Sequence, residues 1–476
     1  MKTFTSFAFA ILLLAGTAPA ADSLRAGAAT SNITPELDSK IVGGFLPFPA
    51  SEVHDELHAR CLVLDDGRTK LALVVCDLLG LHRSVSVEAR RLIEEATGIP
   101  ASHVAISGTH THSAASALGE NRYTSEQPLN DYQRFVARRI ADGVRRAINH
   151  LRPAQIAFGT VDAPEHVFNR RWFMKEGTVP VNPFGKIDKV KMNPPAGSPN
   201  LAEPAGPTDP GISIIALREP GGRLISVYSA YSLHYVGGVG SGDISADYYG
   251  MFCNALARLQ NQGDPDPPFV AMMANGTSGD VNNINFRTPR GKMKPYEQMR
   301  KVAEDVAGKV NATLAKMKWA DTAELDARFR ELELAWRPLD PDLLAWAKEK
   351  EANPPANSSK ADLPFIYAGR LLKLAEAKNP VRIPLQVFRI GDICIGTFPC
   401  ETFAETGLEF KKRSPFPRSF MVELNHGYFG YLPTPRHFEL GGYETWPGTN
   451  SLESQASVKM LGALLEMAGE VAPKSK

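Results

Sequence analysis

The chain has 476 residues, 43% of them hydrophobic, which is enough to bury a large core. Its 53 basic and 52 acidic residues give a formal net charge of +1. This balance provides no strong field for nucleic acid or for a membrane surface, so we expect neither as a partner.

Residues 1–20 have the pattern of a secretory signal peptide. Lys2 precedes an apolar run, and Ala18-Pro19-Ala20 forms a small-x-small cleavage site. The run is too short to cross a bilayer as an anchor. We therefore expect cleavage after Ala20, a secreted or periplasmic protein, and no integral membrane segment in the mature chain.

Apolar strand-like runs alternate with amphipathic helical patterns along the rest of the chain. Helical spacing is clearest in "SVEARRLIEEATG", "DYQRFVARRIADGVRRAINHL" and "PYEQMRKVAEDVAGKVNATLAKM". The intervening runs predict strands, for example "LALVVCDLLGL", "HVAISG", "LISVYSAYSL", "FVAMMA" and "SFMVELN". This alternation predicts an α/β fold with substantial parallel pairing.

Two segments interrupt this alternation. Residues 174–211 are rich in Pro, Lys and Gly, and a loop of that length is either functional or disordered. Residues 337–379 predict a helical pair around "NPPANSSK", which we interpret as a peripheral insertion. Strand patterns continue after both segments, so we expect residues 21–476 to form a single domain.

The five cysteines are odd in number, so at least one cannot pair within the chain. Cys61, Cys76 and Cys394 lie in apolar strand-like runs, and we expect them to be small buried hydrophobic residues.

Polar residues follow several of the predicted strands. His110 and His112 follow "HVAIS", His234 follows "LISVYSAYSL", and Glu401 follows "ICIGTFPC". Ligands of open α/β sheets bind beyond the carboxyl ends of the strands, so these side chains predict one shared site. Two histidines at i and i+2 share a face where the backbone is extended. Two histidines and a carboxylate leave room for water, as in catalytic zinc sites.

In order along the chain, these motifs resemble the neutral, or alkaline non-lysosomal, ceramidase family from about Gly27 to Leu452. The matching segments are "SGTHTHS", "FNRR", "SLHYVGG…GDISADYYG", "NGTSGDVNN", "PCETF" and "YFGYLPT…YETWPGTNSL". The resemblance implies a multilayer sandwich of mixed β-sheets flanked by helices. It also implies a Zn²⁺-dependent amidase that hydrolyses the N-acyl bond of ceramide.

The resemblance also implies roles for individual residues. The metal ligands would be His110, His234, Glu401 and Tyr431. Contacts to the substrate or to the transition state would come from His112, Arg170 and Tyr443. Without the resemblance, Arg170 in "FNRRWF" is equally well explained as a surface ion pair.

Two departures from the family bear on the substrate. Asn282 stands where the family has the serine usually assigned as nucleophile, and an amide side chain cannot attack an acyl carbon. It can still donate a hydrogen bond to an oxyanion or position a substrate hydroxyl. We also considered Ser278 as a substitute nucleophile. The family's C-terminal immunoglobulin-like domain has no counterpart after Leu452, so we expect the catalytic domain only.

Three hypotheses follow for a small-molecule substrate, either an N-acyl lipid or a sugar derivative. The first is an exported zinc hydrolase that uses metal-activated water on an amide or ester bond, with Asn282 positioning the substrate and Asp280 bracing its turn. The second is a carbohydrate deacetylase, lyase or glycosidase on the same metal site, with Trp172 and Trp446 lining a polar cleft. The third is a non-catalytic binding homologue.

A long apolar tunnel would favour a lipid, and a short polar cavity would favour a sugar. The sequence predicts no oligomeric state.

Overall fold

The structure, a computed structural model, describes residues 23–263, 266–355 and 361–473. The expected signal peptide lies outside the described residues. Among the described helices, none has the length and apolarity needed to cross a lipid bilayer.

Helices and strands alternate along the described chain. Its α-helices are α1 (Arg83–Thr97), α2 (Asp131–Asn149), α3 (Asp247–Gln260), α4 (Glu297–Leu314), α5 (Pro341–Ala352), α6 (Leu363–Ala375), α7 (Ala404–Arg413), α8 (Pro435–Leu440) and α9 (Ala456–Val471). Its strands are β1 (Arg25–Asn32), β2 (Lys40–Ile41), β3 (Phe48–Pro49), β4 (Glu52–Val53), β5 (His58–Asp65), β6 (Lys70–Cys76), β7 (Val104–Gly108), β8 (Arg152–Pro153), β9 (Gln155–Asp162), β10 (Phe168–Asn169), β11 (Arg171–Met174), β12 (Val190–Met192), β13 (Leu201–Pro204), β14 (Gly211–Arg218), β15 (Leu224–Tyr231), β16 (Asp243–Ile244), β17 (Val270–Asn275), β18 (Val281–Asn282), β19 (Trp319–Ala320), β20 (Leu325–Leu334), β21 (Val381–Ile390), β22 (Ile393–Thr397), β23 (Glu401–Thr402), β24 (Arg418–Val422) and β25 (Tyr431–Leu432).

Three larger sheets pack around a common apolar core. Their strand orders are β7-β6-β5-β1-β8, β17-β15-β14-β9-β19 and β20-β21-β22-β24. The inner faces of all three contribute to the core, for example through Leu62, Ile215 and Phe388. The outer faces pack against α1 and α2, against α3 and α4, and against α9 respectively. The predicted multilayer sandwich of mixed sheets with flanking helices is confirmed.

Parallel pairing is less extensive than the sequence predicted. In the three large sheets it occurs between β6 and β7, between β15 and β17, and between β22 and β24. Each of these pairs is joined by a crossover that contains a helix, namely α1, α3 or α7. Neighbours joined by short turns, such as β5 and β6, pair antiparallel. A tight turn reverses the direction of the chain once, whereas two parallel strands need a longer crossover connection.

Capping residues mark the ends of the two helices that pack on the first sheet. Asn130 accepts from the backbone of Gln133, whose side chain bonds back to Asn130 in a capping box at the start of α2. The α1 helix ends at Gly98, which has the left-handed conformation that glycine adopts without strain.

All five cysteines are buried and free, as predicted for Cys61, Cys76 and Cys394.

The two interrupting segments are both ordered over their described residues. Residues 174–211 contain β12 and β13, which pair with β11 in a small sheet. Residues 337–379 contain α5 and α6, which pack against each other. Both segments contribute to the site described next.

Candidate functional site

Polar loops that follow β7, β15 and β22 meet at one cavity of about 210 Å³. His110 and His112 follow β7, His234 follows β15, and Glu401 lies beyond β22. All four side chains line this cavity, together with Arg170, Tyr431 and Tyr443. The sheet topology therefore joins residues that are far apart in sequence.

His110 departs from the extended backbone that its i+2 spacing with His112 led us to expect. Its φ of 77° lies in the left-handed region, which is uncommon for a residue with a β-carbon. A backbone hydrogen bond to Leu78 O (2.9 Å) and one from Nδ1 to Leu79 O (2.7 Å) hold this conformation. The chain turns at His110, and the Nε2 atoms of His110 and His112 still lie 3.1 Å apart.

The other two histidine rings are also oriented by backbone carbonyls. Nδ1 of His112 lies 2.6 Å from Gly43 O, and its ring stacks on Tyr235 at 3.6 Å between centroids. Nδ1 of His234 lies 3.1 Å from Ser278 O. Burial holds the pKa of both His112 and His234 well below the usual value.

Glu401 faces the histidines with one carboxylate oxygen. Its Oε2 lies 3.1 Å from His110 Nε2 and 3.6 Å from His234 Nε2. Its Oε1 accepts a hydrogen bond from the Tyr428 hydroxyl at 2.6 Å. Glu401 pairs with Tyr431 in the parallel register of β23 and β25, which places the two residues side by side.

The atoms that converge here are all hydrogen-bond acceptors. A carbonyl can only accept, so Nδ1 of each histidine carries the proton and Nε2 presents a lone pair. The three Nε2 atoms therefore point toward one another and toward a carboxylate.

Within the described chain, His234 Nε2 and Glu401 Oε2 are buried without a hydrogen-bond partner. Ligand atoms of His110, His112 and His234 lie within 4.8 Å of one another, close enough to share a metal ion. The residues present fit a cation, because a cation relieves the repulsion among the lone pairs.

A buried ion-pair network lies beside this cluster. Arg170 donates from Nε to Glu444 Oε1 at 2.8 Å, and Arg171 donates from Nη1 to Glu444 Oε2 at 2.5 Å. Glu444 follows Tyr443 directly, so the network anchors the turn that carries this tyrosine. The Arg170 guanidinium carbon lies 5.3 Å from the ring centroid of Tyr431. Its Nη2 is buried without a partner among the described residues, which leaves one donor free to face a ligand.

Comparison with known proteins identifies the architecture. No family model matches the chain. A solved structure of a ceramidase complexed with C2 shares 15% sequence identity, covering 95% of this chain and 76% of that one, with a TM-score of 0.69. The neutral ceramidase from Pseudomonas aeruginosa shares 17% identity, covering 94% of this chain and 74% of that one, with a TM-score of 0.68. The chain has the neutral ceramidase fold. The resemblance inferred from its motifs is thereby confirmed at the level of the fold.

Within the neutral ceramidase fold of this chain, Asn282 stands apart from the other predicted site residues. It does not belong to the cavity lining. Its Nδ2 donates to Asn193 Oδ1 at 3.1 Å, and its Oδ1 accepts from the backbone N of Asn283 at 2.7 Å. Asn193 does line the cavity and belongs to the segment 174–211. Asn282 therefore reaches the cavity through a second asparagine.

Ser278 and Asp280, in the same turn, are structural. Ser278 is fully buried and donates from Oγ to Glu423 at 2.7 Å, while its Oγ lies 3.2 Å from His234 Nδ1. This position behind a histidine ring does not expose its hydroxyl to a substrate. Asp280 accepts from the backbone N of Ala404 at 2.9 Å and from Asn169 Nδ2 at 2.8 Å, so it braces the turn against α7.

The glycines of this turn allow close contact with the chain around Glu401. A β-carbon on Gly279 would lie 2.5 Å from Glu401 O, and the Gly279 N–H donates to Thr402 O at 2.8 Å. A β-carbon on Gly276 would lie 2.5 Å from Ser232 Oγ. Glycine is therefore required so that the turn can support Glu401 and the start of the His234 loop.

Several lining residues escaped the sequence reasoning. Tyr235 and Tyr428 lie in the segments "SLHYVGG" and "NHGYFGY", so proximity to the histidine motifs was an available signal. Arg122 and Arg370 also line the cavity, but no local pattern marks them. Arg370 belongs to α6, so the segment predicted as a peripheral insertion reaches the site. The two tryptophans predicted for a cleft do not line this cavity, and Trp172 is buried.

Proposed function

We propose that this protein is a zinc-dependent hydrolase that cleaves an amide (N-acyl) or ester bond. His110, His234, Glu401 and Tyr431 would hold the ion. The observation that carries the proposal is the convergence of buried lone pairs from two histidines and a carboxylate, two of which have no partner in the described chain. Two histidines with a carboxylate form the type of donor set that catalytic zinc sites use.

Zinc in such a donor set supplies Lewis acidity toward a carbonyl and favours ionisation of water. His112 Nε2 faces the same space and can accept a proton there and later return it to the leaving group. The free Nη2 of Arg170 can donate to the substrate oxygen that gains charge, and it costs no reorganisation because Glu444 already holds the guanidinium. Tyr443 lies beside Tyr431, with 5.7 Å between ring centroids, and can contact the same oxygen.

The cavity favours a small or polar acyl compound over a long-chain lipid. Its volume of about 210 Å³ is below the range of roughly 300–1,000 Å³ that drug-sized ligands occupy. Histidine, arginine and tyrosine side chains form most of the lining. Asn282 would position the substrate through Asn193.

A neighbouring cavity favours a second candidate, the deacetylation of an N-acetyl sugar at the same metal site. This cavity of about 630 Å³ is lined by Trp346, Trp446 and Asp188, among others. The Trp446 ring contacts Tyr443 of the first cavity, with 5.7 Å between centroids, and its Nε1 donates to Asp188 at 2.8 Å. Aromatic rings next to fixed polar groups are suited to sugar rings.

Export to the periplasm or the medium is part of the proposal and is supported by the sequence pattern of residues 1–20. N-terminal sequencing of the secreted protein tests it, with cleavage after Ala20 as the expected result.

The decisive experiment measures bound zinc and turnover together. Purified protein is screened against N-acyl lipids, N-acetyl sugars and simple esters, with zinc quantified by mass spectrometry. His110→Ala should lose both zinc and turnover, whereas His103→Ala, which changes a histidine remote from the cavity, should retain both. An active His110→Ala protein without zinc would exclude the mechanism. Stoichiometric zinc without turnover of any substrate class would favour the binding homologue.

A further inference from the structure

Among the described residues, two arginines of the cavity have no carboxylate partner. Arg122 and Arg370 line it beside Tyr443, and neither makes an ion pair with an acidic side chain of the described residues. Arg170, the third arginine of the lining, is paired with Glu444. Both side chains are half-buried, so their guanidinium groups can reach a ligand in the cavity.

Aromatic rings hold the two arginines in place. The guanidinium carbon of Arg122 lies 5.7 Å from the Tyr123 ring centroid. That of Arg370 lies 5.5 Å from the Phe45 centroid and 5.1 Å from the Tyr367 centroid. Contact with a ring face stabilises the cation and leaves the N–H groups at its edge free. Those edges have the geometry that binds carboxylate and sulfate groups with two parallel hydrogen bonds.

The charges of the cavity are unbalanced. Among its lining residues, Glu401 is the one carboxylate, and it faces His110 and Tyr428. Three arginines line the same space, and a bound cation at the histidines would add positive charge. A positive cleft with low-dielectric walls concentrates anions.

Both arginines lie close enough to Tyr443 to interact with it electrostatically. Phe45, beneath Arg370, contacts Tyr443 edge-on at 6.2 Å between centroids, and Tyr443 contacts Tyr431 at 5.7 Å. These aromatic rings therefore separate the Arg370 guanidinium from the histidine cluster. A substrate in this cavity can place one end at the arginines and another at the histidines.

We propose that the substrate carries an anionic group, a carboxylate or a sulfate, that Arg122 and Arg370 bind while its acyl bond lies at the histidine cluster. This inference rests on the proposed function and specifies its substrate class. It also gives a role to α6, which supplies Arg370, and to the loop after β7, which supplies Arg122.

The test compares matched pairs of charged and neutral compounds on the zinc-loaded protein. N-hexanoylglycine is compared with N-propylhexanamide, a neutral amide of similar length without an ester bond, and N-acetylglucosamine 6-sulfate with N-acetylglucosamine. Binding is measured by calorimetry and turnover by product analysis. We expect one charged compound to bind at least tenfold more tightly than its neutral partner. The pair that shows this preference distinguishes an amino-acid carboxylate from a sulfated sugar.

Variants assign the preference to the two arginines. Arg122→Met and Arg370→Met keep an aliphatic stem on the aromatic rings but remove the charge. Each should weaken the charged compound at least tenfold and leave the neutral one within about twofold. Arg287→Met is the matched control, since Arg287 also stacks on a ring, Trp172 at 4.9 Å, but does not line the cavity. Melting temperature and zinc content are recorded for each variant.

The outcomes separate this inference from the proposed function. Equal binding of charged and neutral compounds, or equal losses of both in the arginine variants, overturns the inference even if amides or esters are hydrolysed. Arginine-dependent binding of the charged compound without turnover of any compound supports anion recognition and contradicts the hydrolase.

Discussion

Arg170 Nε donates to Glu444 Oε1 at 2.8 Å, and both side chains are almost fully buried. Burial opposes ionisation of Glu444, but Arg171 and Arg170 outweigh burial and lower its pKa. The carboxylate is therefore charged and orients Arg170 beside the histidine cluster. It also joins the β10–β11 region to the turn of Tyr443.

Glu444→Gln should lower the free energy of unfolding by about 3–5 kcal/mol, because it leaves two buried guanidinium groups without their counter-charge. Turnover should fall even where the variant is folded, since Arg170 is no longer held. Urea denaturation and steady-state kinetics measure the two effects. Glu439→Gln, on the exposed side of α8, is the control. An unfolding free energy of Glu444→Gln within about 0.5 kcal/mol of the control would contradict the role of this ion pair.

Ser278 connects His234 to Glu423. Its Oγ donates to Glu423 and lies within hydrogen-bond distance of His234 Nδ1, so it helps to set the direction of the Nε2 that faces the proposed metal site. Ser278→Ala should weaken zinc binding about 10–100-fold, the usual effect of removing a residue that orients a metal ligand. Competition with a chelating dye measures the affinity. Ser226→Ala, a buried serine bonded to Val270 O in the second sheet, should leave it unchanged. Equal zinc affinity in the two variants would show that Ser278 does not orient His234.

Asn282→Ser should not create hydrolysis of long-chain ceramide. The residue lies outside the cavity lining, and a serine there is too short to replace the amide contact with Asn193. The cavity of about 210 Å³ is also too small to enclose two long alkyl chains. Release of fatty acid from ceramide is the measurement, with Asn282→Ala beside it. A gain of ceramide hydrolysis in the serine variant alone would mean that position 282 reaches the reacting bond.

Glu405 makes the stability of the α7–α8 region dependent on pH. Burial opposes its ionisation, but His437 and Arg436 outweigh burial and lower its pKa to about 2 from an ordinary 4.5. A carboxyl group with a lower pKa in the folded state stabilises the fold above its unfolded pKa, and this contribution is lost as the pH falls toward the folded pKa. Glu405→Gln should therefore lower the free energy of unfolding at pH 7, and its difference from the wild type should shrink between about pH 4.5 and pH 2.

Urea denaturation of both proteins at pH 7 and pH 3 measures this difference. Glu409→Gln, on the same helix with a partly exposed side chain, should change stability little at either pH. A difference between wild type and Glu405→Gln that stays constant with pH would refute the assignment.

The sequence alone predicted the fold class and seven of the residues that line the cavity. Apolar runs of strand length and helices of 3.6-residue period are local properties, so they indicated the alternating elements and the strand ends at His110, His234 and Glu401. Their ordered motifs indicated the ceramidase fold at sequence identities of 15–17%. The extent of parallel pairing was overestimated, because alternation does not distinguish a helical crossover from a short antiparallel turn.

Only the tertiary structure decided which side chains share the cavity and which stand behind it. Arg122 and Arg370 lie 248 positions apart, and neither is marked by its neighbours in the chain. Ser278 and Asn282 occur in one polar turn, but packing buries the first behind His234 and directs the second toward Asn193. A local pattern records which residues are apolar or charged. The charge balance of a cavity depends on contacts between distant segments, and these exist only once the three sheets have packed together.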